Sequence, residues 1–82
     1  MRRARLELPD AFAQVVRKHR EAKKFSRAGL AEVAGLHQTY VGLLERGMRS
    51  PNLETANAIA HALGVKLSVL IAEAEGLKTT KD

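Results

Sequence analysis

The sequence contains no cysteine and no tryptophan, and its 82 residues include only two phenylalanines, one tyrosine and two prolines. The lack of cysteine excludes a disulfide framework and any metal site built on thiolates. No run free of Asp, Glu, Lys and Arg approaches the about 18 residues of a membrane-spanning helix. The basic start is not followed by the apolar stretch of a signal peptide. We therefore expect one cytoplasmic domain with no membrane partner.

Positive charge is in excess, since 14 Lys and Arg residues face nine Asp and Glu residues, for a net charge of +5. A chain of this size buries only about 60–65% of its unfolded surface, which is little for an enzyme that must enclose a substrate. The three histidines, His19, His37 and His61, lack metal-ligand spacing. We expect no enzymatic activity, no metal and no cofactor. The charge favours an anionic partner, above all nucleic acid.

Helical periodicity runs through almost the whole chain, and the alternation of period two that marks strands is absent. Turn and cap residues divide the pattern into five short helices, which predicts an all-α fold. The predicted helices span residues 10–24, 27–34, 38–46, 53–63 and 67–75. Residues 1–9 form a basic leader and residues 76–82 a polar tail, so the expected domain spans residues 10–75.

Caps and glycines set the predicted helix ends. Ser26 and Asn52 each stand directly before a helix and have the side chains that cap helix N-termini. Gly35, Gly47 and Gly64 follow helices, where a glycine can take a left-handed backbone conformation. The second and third helices, joined at Gly35, form a helix-turn-helix pattern.

The motif residues carry a resemblance to a known family. Residues 25–47 read FSRAGLAEVAGLHQTYVGLLERG, and residues 49–55 and 62–65 read RSPNLET and ALGV. These strings resemble the XRE family of phage-repressor-like helix-turn-helix proteins, over about residues 12–71. The resemblance implies a compact five-helix, lambda-repressor-like domain whose third helix enters the major groove of double-stranded DNA. The sequence departs from the family pattern at Gly29, His37, Gly42 and Leu43.

The outward face of the third helix contains Gln38, Thr39, Gly42 and Leu43. The Gln38 amide can pair with the N6 and N7 atoms of adenine, and the Thr39 hydroxyl can reach a base or a phosphate. Leu43 can only contact a thymine methyl group. We expect base contacts from Gln38, Thr39 and Leu43; the alternative for Leu43 is a passive surface leucine.

Phosphate contacts are expected on both sides of this helix. Helix N-termini and basic side chains bind phosphate oxygens, and the family resemblance implies such contacts at the start of the second helix and in the loop after the third. The candidates are Arg27, His37, Tyr40, Arg46, Arg49 and Asn52. The alternative for the arginines is a solvated surface charge, and the Tyr40 ring has the option of packing against the first helix. The resemblance also implies a structural ion pair between Arg20 and Glu45.

These patterns predict a sequence-specific transcriptional regulator, a repressor that binds a palindromic operator as a homodimer. Val69 and Ile71 on the fifth helix are the candidate dimer interface, because Leu67 and Leu70 suffice to close the core there; the alternative is that Ile71 completes the core. An antitoxin with a toxin partner, a restriction–modification controller and a phage repressor are close alternatives that the sequence does not separate. A protein-interaction module without DNA binding is the alternative from another class.

Overall fold

The computed structural model describes residues 7–78, and within that range the chain forms five α-helices and no strand. The helices are α1 (Leu8–Ala22), α2 (Arg27–Ala34), α3 (Gln38–Glu45), α4 (Leu53–Leu63) and α5 (Leu67–Lys78). The all-α, five-helix prediction is therefore confirmed for the described residues. The most extensive helix packing joins α1 to α5, and α2 packs against both α3 and α4.

Helix α1 begins and ends two residues earlier than the sequence predicted. Pro9 lies in its first turn, where its missing N–H costs no hydrogen bond, and Leu8 packs against the core. At the other end Lys24 takes a left-handed φ of 61°, and the Phe25 N–H donates to the Arg20 carbonyl at 3.1 Å. This closing turn stops the helix at Ala22 without a glycine.

The ends of α2 and α4 follow the predicted caps. The Ser26 hydroxyl accepts from the Gly29 N–H at 2.9 Å, and the Asn52 carboxamide oxygen accepts from the Thr55 N–H at 2.8 Å. Gly35 and Gly64 take left-handed φ values of 74° and 75° directly after the two helices. Each cap satisfies a backbone group that the helix itself leaves without a partner.

The other two helices differ slightly from prediction. Helix α3 ends at Glu45 rather than at residue 46, and Gly47 follows with a φ of 74°. Helix α5 continues to Lys78, so the helical domain includes part of the predicted tail as well as Leu8 and Pro9 of the predicted leader. Residues 1–6 of the predicted leader and 79–82 of the predicted tail lie outside the described residues.

The core contains small and branched side chains from all five helices. Its largest fully buried members are Val15, Val16, Leu30, Val41, Leu44, Ile59, Leu63 and Leu70. Helical periodicity predicts that Leu53 belongs to the apolar stripe of α4, but its side chain is 79% exposed in the first turn of that helix. Helix α4 meets the core only from Ala56 onward. Periodicity alone therefore extended the buried face of α4 one turn too far, to Leu53.

No single helix within residues 7–78 has the length and apolar composition needed to cross a membrane. The α4 and α5 segments meet those criteria only when they are taken together across a bend of 103°.

Candidate nucleic-acid interface

The turn between α2 and α3 sets the position of α3. Gly35 takes the left-handed conformation, and the Leu36 N–H then donates to the Ala31 carbonyl at 2.8 Å. Ala31 is buried at this junction, and Leu36 packs against the core. Since glycine adopts a positive φ at no steric cost, the chain changes direction within the three residues that separate the helices.

One face of α3 is held in the core and the opposite face is open to solvent. Val41 and Leu44 are each 1% exposed, so they fix the helix against the rest of the domain. Gln38 and Thr39 are exposed on the other face, and Leu43 is half-buried beside them. Among the described residues, none accepts or donates a hydrogen bond to the side chain of Gln38 or Thr39. The polar groups of this face are therefore available to a ligand.

Exposed polar groups lie at both ends of this face. His37 precedes α3 and makes no side-chain cap, while Arg46 and Arg49 follow the helix and are exposed. Neither arginine forms an ion pair within the part of the chain that the structure describes. Unpaired guanidinium groups are suited to phosphate oxygens because they can donate two parallel hydrogen bonds.

Arg20 and Glu45 lie together, as the family resemblance implied. Arg20 Nε donates to Glu45 Oε2 at 2.6 Å, and its Nη2 donates to Oε1 at 3.1 Å. The Glu45 side chain is 1% exposed and that of Arg20 is 9% exposed. The hydrogen bond that Arg20 donates to Glu45 raises the pKa of Arg20, which keeps the guanidinium charged although burial opposes this. The pair ties the end of α1 to the end of α3.

Sequence reasoning missed a second arginine at this carboxylate. Arg27, at the start of α2, donates from Nε to Glu45 Oε1 at 3.2 Å, with its side chain still 47% exposed. Arg27 was expected only to contact phosphate, and it instead has an internal partner. Its two terminal nitrogens make no hydrogen bond with a described residue, so Glu45 orients the group while those donors stay open.

Tyr40 and Asn52, the other two phosphate candidates, are partly engaged in the fold. Tyr40 is half-buried and packs against the core cluster. The Asn52 carboxamide oxygen is occupied by its cap of α4, but the NH₂ group of that amide can still donate.

The candidate dimer residues differ in exposure. Val69 is 40% exposed, whereas Ile71 is half-buried and packs against the core. Ile71 also lines an apolar groove of about 180 Å³, together with Leu8, Pro51 and the exposed Leu53. The surface next to α5 is therefore a groove that reaches the starts of α1 and α4, which the sequence did not indicate.

A polar contact between α1 and α5 was also missed. Glu73 lies 3.0 Å from His19 Nε2 and 3.3 Å from Lys18 Nζ, both measured to Oε1. The hydrogen bond that Glu73 accepts from His19 lowers the pKa of Glu73, although burial opposes this, and a smaller contribution comes from Lys18. Glu73 is far from His19 and Lys18 in the sequence, and no local pattern could have paired them.

The five-helix arrangement, the glycine turn and the open face of α3 together define a helix-turn-helix DNA-binding protein. The helix-turn-helix family matches residues 16–70. The chain therefore belongs to that family, in its XRE branch, and is a DNA-binding transcriptional regulator.

Individual relatives agree with this assignment. The chain is 36% identical over 73 residues to control protein C.SmaI of Serratia marcescens, covering 89% of this chain and 86% of that protein. It is 35% identical over 60 residues to the immunity repressor protein of Bacillus phage phi105, covering 73% of this chain and 42% of the repressor. The crystal structure of the restriction–modification controller protein C.AhdI of Aeromonas hydrophila superposes with a TM-score of 0.74 at 37% identity, covering 76% of this chain and 94% of that one.

Proposed function

We propose that the protein reads a specific DNA sequence by placing α3 in the major groove, with base contacts from Gln38, Thr39 and Leu43. The observation that carries this proposal is the open face of α3, where exposed Gln38 and Thr39 side chains have no internal hydrogen bond within residues 7–78. The Gln38 amide matches the donor and acceptor pair of adenine in the major groove. Thr39 adds a hydroxyl and a methyl group, and Leu43 an apolar contact.

Phosphate contacts on either side of α3 would hold the helix in the groove. Arg46 and Arg49 supply unpaired charges after α3, and Arg27 supplies its two open nitrogens at the start of α2. His37, Tyr40 and Asn52 complete the set through an imidazole, a phenol and an amide. These contacts carry no sequence information, but they fix the register in which the base-reading side chains meet the DNA.

The regulator acts as a homodimer. Three base-reading side chains cannot select one site among genomic competitors, whereas two copies on a twofold axis read two half-sites. Val69 is an exposed apolar residue of α5, as is Leu77, and Ile71 of the same helix lines an apolar groove together with Leu53. Apolar surface that a small domain leaves exposed is suited to a self-complementary interface, because each copy can cover the apolar residues of the other.

Repression follows from occupancy: a dimer bound across a palindromic operator blocks transcription from an overlapping promoter. Control of a restriction–modification system is a second candidate function. It is favoured by the share of each relative's length that the match covers. The match to control protein C.SmaI spans 86% of that protein, whereas the match to the immunity repressor spans 42%. Genes for an endonuclease and a methyltransferase beside this gene would favour the controller role.

Selection of bound duplexes from a random pool tests the proposal. We expect an inverted repeat whose half-site centres lie about one helical turn, or about 34 Å, apart. A selection without protein controls for amplification bias. Failure to enrich any sequence at low salt would overturn the proposal, and enrichment of a single half-site would overturn its dimeric form.

A further inference from the structure

Gly42 has no structural reason to be a glycine. It lies inside α3, and a Cβ built on it would meet no heavy atom of residues 7–78 within 4 Å. By contrast, Gly35 and Gly47 have left-handed φ values, and a Cβ on Gly29 would lie 3.2 Å from Ser26 Oγ. A glycine in a helix interior is less stable than an alanine because it loses more backbone entropy on folding. The fold therefore carries a destabilising residue at Gly42 that its own packing does not require.

The position of Gly42 connects it to the DNA-facing surface. It follows Gln38 by four residues and Thr39 by three, so it lies one helical turn further along the same face. Leu43 is its neighbour on that face. The missing side chain leaves open space at this point of the face, a depression next to Leu43 and one helical turn from Thr39.

We propose that Gly42 determines specificity by admitting the 5-methyl group of a thymine into this depression. The inference rests on the proposed entry of α3 into the major groove. The thymine methyl is the apolar group that base pairs present in that groove, and Leu43 beside the depression offers it apolar contact. An alanine at position 42 would occupy the space that the methyl group needs.

Two matched variants separate the needs of the fold from those of DNA binding. Gly76 lies in α5, and a Cβ there also meets no heavy atom within 4 Å among the described residues. Gly42→Ala should raise the melting temperature by up to about 4–8 °C, and Gly76→Ala should raise it by less because Gly76 is close to the end of its helix. On the operator selected by the wild type, Gly42→Ala should bind about tenfold or more weakly, whereas Gly76→Ala should bind like the wild type.

Replacing thymine by uracil tests the methyl group directly, since uracil lacks only that group. At one operator position per half-site, uracil should weaken binding of the wild type and restore most of the affinity that the Gly42→Ala substitution removes. Equal binding by the wild type and Gly42→Ala would overturn the inference, as would a weakening that no uracil substitution reverses. A wild type that selects no DNA sequence would instead overturn the proposed function itself.

Discussion

The Arg20 guanidinium and the Glu45 carboxylate form a buried two-point ion pair, with Nε to Oε2 at 2.6 Å and Nη2 to Oε1 at 3.1 Å. Arg20 Nη1 also donates to the Phe25 carbonyl at 2.8 Å, in the loop before α2. One side chain thus connects the end of α1 to the α1–α2 loop and to the end of α3. Arg27 adds a third contact to the same carboxylate, so the position of α3 depends on Glu45.

Removing one member of the Arg20–Glu45 pair should destabilise the folded protein. We expect Glu45→Ala to lower the free energy of unfolding by about 3–5 kcal/mol, because the Arg20 charge would stay buried without its partner. Urea denaturation followed by circular dichroism measures the change. Glu21→Ala is the control, since the Glu21 side chain is 57% exposed and its removal should cost about 1 kcal/mol or less. Equal effects of the two variants would contradict a structural role for the pair.

Arg49 should contribute to affinity on any DNA sequence. Arg49→Ala should weaken binding to the operator and to random DNA alike, and it should reduce the slope of log K against log salt by about 1 for each phosphate that Arg49 neutralises. Titrations at several salt concentrations measure both effects. Arg17→Ala removes the same charge from α1, where Arg17 pairs with Glu21. An unchanged slope for Arg49→Ala, or the same change in both variants, would reject the phosphate contact.

Gln38 should contribute to specificity instead. Gln38→Ala should cost about 1–3 kcal/mol on the preferred operator and relax the preference at one base pair of each half-site. Competition binding against a set of single-base operator variants measures this. If binding to specific and random DNA weakens equally, Gln38 only positions the protein.

Lys24 should be replaceable by glycine with a gain in stability. Lys24 holds a left-handed φ of 61°, a conformation that costs a residue with a Cβ about 1 kcal/mol or more. Lys24→Gly should therefore raise the free energy of unfolding by up to about 1 kcal/mol. Lys23→Gly is the matched control: Lys23 has a φ of −86°, so the variant should show no gain. Thermal unfolding of both variants measures these changes. A decrease in the stability of Lys24→Gly would contradict the prediction.

Val69 should control the oligomeric state. Val69→Glu should yield a folded monomer with much weaker operator binding, since a charge would enter the apolar centre of the interface. Val33→Glu makes the same change at a valine of α2 that is 58% exposed, and this variant should stay dimeric. Sedimentation without DNA distinguishes them. If the wild type is monomeric at tens of micromolar, or if Val69→Glu is dimeric, the dimer interface does not lie on α5.

Local sequence determined most of the helices. The bounds of α2 and α4 were predicted correctly because Ser26, Asn52, Gly35 and Gly64 act within a few residues of the helix ends that they form. The helix-turn-helix was predictable for the same reason. The end of α1 was not, since Lys24 takes a backbone conformation that its residue type disfavours.

The outward face of α3 also followed from the sequence, because two buried positions fix the rotation of a helix. Whether Gln38, Thr39 and Leu43 contact bases stays a prediction, as does each phosphate contact.

Only the tertiary structure decided which distant side chains meet. It joined Arg27 to the Arg20–Glu45 pair and His19 to Glu73, and it left Leu53 in solvent beside an apolar groove. Periodicity specifies the face of a helix on which a residue lies. It does not specify the distance between helices or how far the core extends along each of them, and those depend on how all five helices pack together.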